Sequence, residues 1–248
     1  MALSREEKLA LFKNKKYHKS AKYDFDWVIE NQMGSNCLWL TESVADKMDL
    51  VQGSRLLDFG CGKAVSSIFL AKEYNVNVFA SDYWISPSDN MKRIKEAQVD
   101  NSVFPIHAEA HQLPFADESF DNIISINSFQ FYATSEYYLK NNIGKLLKPD
   151  GKIGIVVPGL YNEIDGEVPE YLIKHWEADY YSWHTAQWWE RHFQRSGIFE
   201  VELADSYEGK DGYNMFLNWG RMLDAYDGLA EEDLGRNITF VRLVAHKK

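Results

Sequence analysis

Asp58-Phe59-Gly60-Cys61-Gly62 places an acidic side chain just ahead of two glycines, directly after the apolar pair Leu56-Leu57. A strand that runs into such a turn, followed by the helical stretch Ser66 to Ala71, can bring bare backbone against a ligand and aim the positive end of a helix at it. A second carboxylate, Asp82, closes the run Val78-Phe79-Ala80-Ser81. At a strand end beside the glycine turn, a carboxylate can accept hydrogen bonds from both hydroxyls of a ribose. The plainer reading of Asp82 is a turn or helix-capping residue. Taken as a site, the pair predicts a nucleoside-bearing ligand without a 2′-phosphate, which Asp82 would repel. The G-x-G-x-x-G of dinucleotide sites is not met, because Val65 stands where its third glycine would be, and a pyrophosphate would be opposed by Asp58.

These residues need a sheet to hold them. Short apolar runs predict strands at 55–59, 76–81, 103–107, 121–127 and 152–157, each separated by enough chain for a crossover helix. Repeated strand-helix-strand units imply a doubly wound, mostly parallel α/β sheet with right-handed crossovers. Lys148-Pro149-Asp150-Gly151 is a turn between a helix near 135–147 and the fifth strand. Two more strands, near 198–204 and 238–245, flank a helix around 213–227 and bring the sheet to seven, with the last antiparallel at its edge. Ahead of the sheet, a weakly helical segment from Arg5 to Tyr17 and a helix from Asn36 to Met48 form an N-terminal cap. The chain thus divides into one domain with a cap (1–50), a ligand-binding core (51–159), an aromatic-rich insertion (160–197) and a sheet-closing region (198–248).

The 248 residues carry a net charge of −10, which argues against a broad nucleic-acid surface. Lys13, Lys15, Lys16, Lys19 and Lys22 form one basic run, read as a solvated helical face or as a contact for an anion or a lipid surface. Two cysteines give no disulfide framework and suit a reducing cytoplasm, and no apolar run approaches a membrane span. The polar N-terminal residues lack the apolar core of a signal peptide.

From Leu56 to Gly159 the chain resembles the class I S-adenosylmethionine (SAM)-dependent methyltransferases. The resemblance rests on Asp58 to Gly62, on Asp82, on Glu109-Ala110-His111-Gln112-Leu113-Pro114-Phe115 with Ser119-Phe120-Asp121 after it, and on Leu147-Lys148-Pro149-Asp150-Gly151. It implies a Rossmann-like fold, SAM as cofactor and a small-molecule methyl acceptor. Carried over by position, Asp58 would sit near the methionine ammonium, with Gly60 and Gly62 shaping the backbone path around it. Asp82 would hold the ribose, Tyr83 or Trp84 would lie against the adenine, Glu109 and Ala110 would meet its edge, and Asn127 would border the methyl donor. The sequence departs from the family at Ala64, where a third glycine is common, at Glu109 for the usual Asp, and at Asp150 for the first glycine of the pair. Similar chains include cyclopropane-forming enzymes acting on lipid acyl chains, which the basic run would favour, and a SAM-binding domain without catalysis would share the same motifs.

A general base is needed only where the acceptor must lose a proton. His107, His111, His184 and Glu163 are the candidates, and His184 with Tyr161 belongs to the insertion expected over the substrate. Its rings, Tyr161, Tyr171, Trp176, Tyr180, Tyr181, Trp183, Trp188 and Trp189, read as a lid and core or as a surface around a cationic amine. Tyr17, Tyr23, Trp27 and the Gly34-Ser35-Asn36 turn could close the other side. His175, His184 and His192 lack a metal-ligand spacing, so no metal is expected.

Overall fold

Alternation of side chains along the strands decides the architecture. In β1 (Arg55–Phe59), Leu56 packs into one buried cluster while Leu57 and Phe59 pack into another. In β4 (Phe120–Ile126), Ile124 and Ile126 join the first cluster and Ile123 the second. A strand whose successive side chains both find apolar partners must be covered on both faces, which is the geometry of a parallel sheet between two helical layers. The computed structural model, which describes residues 3–225 and 228–248, shows this.

The sheet runs β3 (Val103–His107), β2 (Asn77–Asp82), β1, β4, β5 (Leu147–Leu160), β7 (Ile238–Lys247), β6 (Phe199–Ser206). β3, β2, β1, β4 and β5 are mutually parallel, and β7 is antiparallel to both β5 and β6. Seven strands are present as expected. The antiparallel strand is last in sequence but lies one place in from the edge, because β7 pairs along its length with β5 and leaves β6 outermost. β5 is also longer than 152–157, since the Lys148 to Gly151 turn stays within the strand and Asp150 there takes φ 60°.

The helices are α1 (Arg5–Phe12), α2 (Phe25–Asn31), α3 (Cys37–Ala45), α4 (Val65–Tyr74), α5 (Pro87–Glu96), α6 (Glu136–Tyr138), α7 (Gly144–Leu146), α8 (Glu170–Ile173), α9 (Ala186–Arg195), α10 (Asp211–Met222) and α11 (Gly228–Asp233). Several begin where a side chain caps them. Ser4 and Glu7 form a capping box on α1, Asn36 accepts from Leu38 and Trp39 N–H, and Thr185 accepts from Trp188 N–H. The helix expected over 135–147 is instead broken, with a π-helical turn at Leu139–Ile143 between α6 and α7. Gly144 sits there because any Cβ would collide with Ile198. The helix expected over 213–227 is α10, which ends at Met222, and α11 follows beyond that range; positions 226 and 227, like residues 1 and 2 of the cap, lie outside the described residues. The 160–197 segment holds two helices, α8 and α9, joined by a 3-10 turn at Ala178–Ser182.

No helix among the described residues is long and apolar enough to cross a membrane. Three lysines of the basic run are ion-paired within the fold, Lys16 to Asp211 at 2.6 Å, Lys19 to Asp46 at 2.5 Å and Lys22 to Glu73 at 2.6 Å.

Candidate active site

The carboxyl ends of β1, β2 and β4 open onto a cavity of about 970 Å³, at the upper end of the roughly 300–1,000 Å³ of small-molecule sites. The chain leaves β1 through three left-handed residues, Gly60 (φ 74°), Gly62 (φ 54°) and Ala64 (φ 60°). The turn is pinned to the next strand: Gly60 and Cys61 N–H both donate to Ser81 O, at 2.9 and 3.1 Å. Gly62 N–H donates to Asp82 Oδ2 at 2.8 Å, while Asp82 Oδ1 accepts from the N–H of Trp84 (2.8 Å) and Ile85 (3.0 Å). Asp82 thereby sets the shape of both loops while remaining on the cavity wall. A Cβ on Gly60 would collide with Ser128 Oγ, so close approach there is demanded by the loop after β4.

Sequence reasoning set Asp58 beside the ligand, but the structure sets it behind the wall. It is fully buried, is absent from the cavity lining, and accepts hydrogen bonds from Ser66 and Ser67 Oγ at 2.6 Å each, which ties the first turn of α4 to β1. Its Oδ1 has no partner. Burial pushes this carboxyl up to about 6 against the two hydroxyl donors, and the nearby Asp82 adds to the rise.

Gly60, Gly62, Asp82, Tyr83, Trp84, Glu109, Ala110 and Asn127 all line the cavity. Tyr83 and Trp84 are 58% and 76% exposed beside Asp82, with the Tyr83 ring stacked on His107 at 5.5 Å. Glu109 turns its carboxylate to His111, whose Nδ1 lies 2.9 Å away and whose N–H donates to it at 2.9 Å, and the His111 contact holds the acid below its ordinary value. Asn127 has φ 56° and donates its N–H to Val156 O at 2.7 Å.

His184 and Tyr161 are not on the cavity wall. His184 stacks on Trp188 at 3.8 Å and its Nδ1 meets Glu163 Oε2 at 3.0 Å, while Tyr161 donates to Gly209 O at 2.6 Å. Burial raises the Glu163 carboxyl, but His184 and Thr185, which donates both its N–H and its hydroxyl, bring it below the ordinary range. These contacts are those of a brace for the start of α9. His107 and His111 likewise bond locally, to Tyr83 O and Glu109. Of the insertion's rings, Tyr180 and Trp183 reach the cavity, whereas Trp189 is buried under α9. Gly34 and Ser35 reach it from the cap, while Tyr23 and Trp27 line a separate surface pocket. No group of three or more metal-ligating side chains is assembled among the described residues.

Sequence reasoning missed the wall supplied by Gln130 and Phe131 after β4, by Phe216 and Trp219 of α10 and by Leu223 just after it. A helix was expected around 213–227, but which of its residues face the cavity depends on packing between parts of the chain distant in sequence.

A doubly wound sheet in this strand order, with an antiparallel seventh strand, is the Rossmann-like fold of class I SAM-dependent methyltransferases. Residues 57–155 match the methyltransferase-domain family. An O-methyltransferase of Aspergillus nomiae is 29% identical over 121 residues, 47% of this chain and 52% of that protein. The aligned part spans about half the length of the first curated relatives. Phosphoethanolamine N-methyltransferase 2 of Haemonchus contortus, solved with SAM, superposes with a TM-score of 0.70 at 19% identity over 97% of this chain and 60% of that one. The cyclase SpnF superposes at 0.68 with 20% identity, over 84% of this chain and 80% of that one, so the fold alone is shared with another chemistry.

Two observations of the cavity suit SAM. Its charged wall is mainly acidic, with Asp82 and Glu109 at the glycine-turn end, and its one lysine among the described lining residues, Lys63, donates to Glu30 O at 3.0 Å. Its lining residues Ser81 and Gln130 each hold a buried polar atom, Oγ and Oε1, without a partner. A ligand with positive sulfonium and ammonium groups and several polar edges fits that set better than a phosphorylated one.

Proposed function

We propose that this chain transfers the methyl group of SAM to a small-molecule acceptor. The observation that carries the reading is the joining of the Gly60–Gly62 turn to Asp82 on an acidic wall at the carboxyl ends of β1 and β2. SAM supplies a methyl group already activated on a positive sulfur, which an acceptor takes by in-line displacement. The protein's contribution is then alignment and exclusion of water.

Asp82 holds the ribose hydroxyls with lone pairs left over from its three N–H donors, beside the exposed rings of Tyr83 and Trp84 for the adenine. Glu109 and Ala110 border that ring. Asn127, fixed by its bond to Val156 O, stands near the reacting end. Asp58 acts through the turn, by holding Ser66 and Ser67. His184 and Tyr161 take no part in the chemistry.

Calorimetric titration tests this. SAM binds and NADH does not, and Asp82→Ala weakens SAM at least about tenfold while the melting temperature shows a folded protein. Absence of SAM binding by the native chain would overturn the reading, and release of S-adenosylhomocysteine (SAH) from SAM with an acceptor separates an enzyme from a SAM-binding domain without turnover.

A further inference from the structure

The end of the cavity remote from Gly60 is walled by rings that pack on one another. Tyr180 and Trp183 have centroids 4.3 Å apart and planes tilted by 34°. Trp183 stacks on Phe216 at 6.0 Å, and Phe216 stacks on Phe240 at 4.0 Å with 7° between planes. Tyr180, Trp183 and Phe216 line the cavity, and Phe240 is buried behind them. Trp183 thus has Tyr180 and Phe216 as ring neighbours, and Phe216 has Trp183 and Phe240, so ring surface at this end of the cavity is taken up by other rings.

Ring surface packed on other rings gives a cation less than an open face would, whereas ring edges, the positive part of the aromatic quadrupole, attract the π face of another ring. The opposite charge is no better served. Lys63, the one cationic side chain among the described lining residues, belongs to the glycine turn and is held by Glu30 O, and no arginine or histidine lines the cavity among those residues. A buried phosphate or carboxylate would lack a counter-charge. Asp179 stands exposed at the rim, where water and salt screen it.

Resting on the methyltransferase reading, we propose that the acceptor is an uncharged, ring-bearing apolar molecule that lays its π face against the edges of Trp183 and Phe216. The volume of about 970 Å³ leaves space for such a ring alongside a cofactor.

Three matched probes test the class by calorimetry on the full chain, with and without saturating SAH: 2-naphthol, 2-naphthyl phosphate, and (2-naphthylmethyl)trimethylammonium. The neutral naphthol is expected to bind about tenfold or more tightly than either charged probe. Phe216→Leu is expected to weaken naphthol about fivefold, through loss of the edge contact, while SAH affinity stays unchanged. Equal or tighter binding of the ammonium or the phosphate would overturn the proposal, as would no detectable naphthol binding, or naphthol binding that Phe216→Leu leaves alone. Failure of SAH to bind would instead count against the methyltransferase reading, and the series run without SAH still decides the acceptor class.

Discussion

Asp58 shows how a motif residue can be placed correctly by its neighbours in sequence and still do a different job. The run from Leu56 to Gly62 located the strand, the turn and the helix that follow, because each depends on contiguous residues. It could not show that Ser66 and Ser67, one turn into α4, would claim the carboxylate. The consequence is a pH dependence. Folding raises this carboxyl to about 6, so between the ordinary carboxylate range and pH 6 the folded chain keeps a proton that the unfolded chain has released. Stability from this group is full below that window and is lost as pH rises through it. Asp58→Asn keeps a carbonyl for the serine hydroxyls and has no proton to lose. Its unfolding free energy, followed by denaturant melts, is expected to gain on the native chain as pH goes from about 4 to 7, by an amount on the order of 2 kcal/mol. A difference between the two chains that stays constant across the window would show that Asp58 does not titrate there.

At the scale of elements, the strands were legible because a strand covered on both faces is a short continuous apolar run, and the positions near 55–59, 103–107 and 238–245 match the observed β1, β3 and β7. The order of the last two strands was not, because β7 enters between β5 and β6 through pairing that no local pattern records. The start of α9 shows the same limit for the site. His184 and Glu163 have the types and the separation of an acid-base pair, yet they meet beside Thr185 and Trp188, off the cavity. His184→Ala is therefore expected to leave SAM-dependent turnover within about twofold of native, and to lower stability by about 1 kcal/mol through loss of the stacking and the Glu163 bond. A loss of turnover of a hundredfold with SAM affinity retained would restore His184 as a base.

For the whole molecule, the cavity is closed by parts of the chain far apart in sequence. The glycine-turn half of the wall lies in contiguous motifs after β1, β2 and β3, and the expected residues there other than Asp58 line the cavity. The aromatic half could not be read in that way, since Tyr180, Trp183 and Phe216 are assembled by the fold. The cap and α10 are tied by the Lys16–Asp211 ion pair and, at the cavity wall, by the indole N–H of Trp219, which donates to Gly34 O at 2.8 Å. Gly34 itself has φ 73°, and a Cβ there would collide with Asn127 Nδ2, so the cap loop lies directly against the residue placed beside the methyl donor. Trp219→Phe keeps the apolar wall and removes the donor, leaving a carbonyl unpaired at a cost of roughly 1–2 kcal/mol in the closed arrangement. Because that cost falls on the closed form and not on the encounter, stopped-flow mixing should find SAM dissociating about fivefold to thirtyfold faster with its association rate nearly native. An unchanged dissociation rate, in a variant that melts like the native chain, would mean that the cap and α10 hold the ligand independently of this bond.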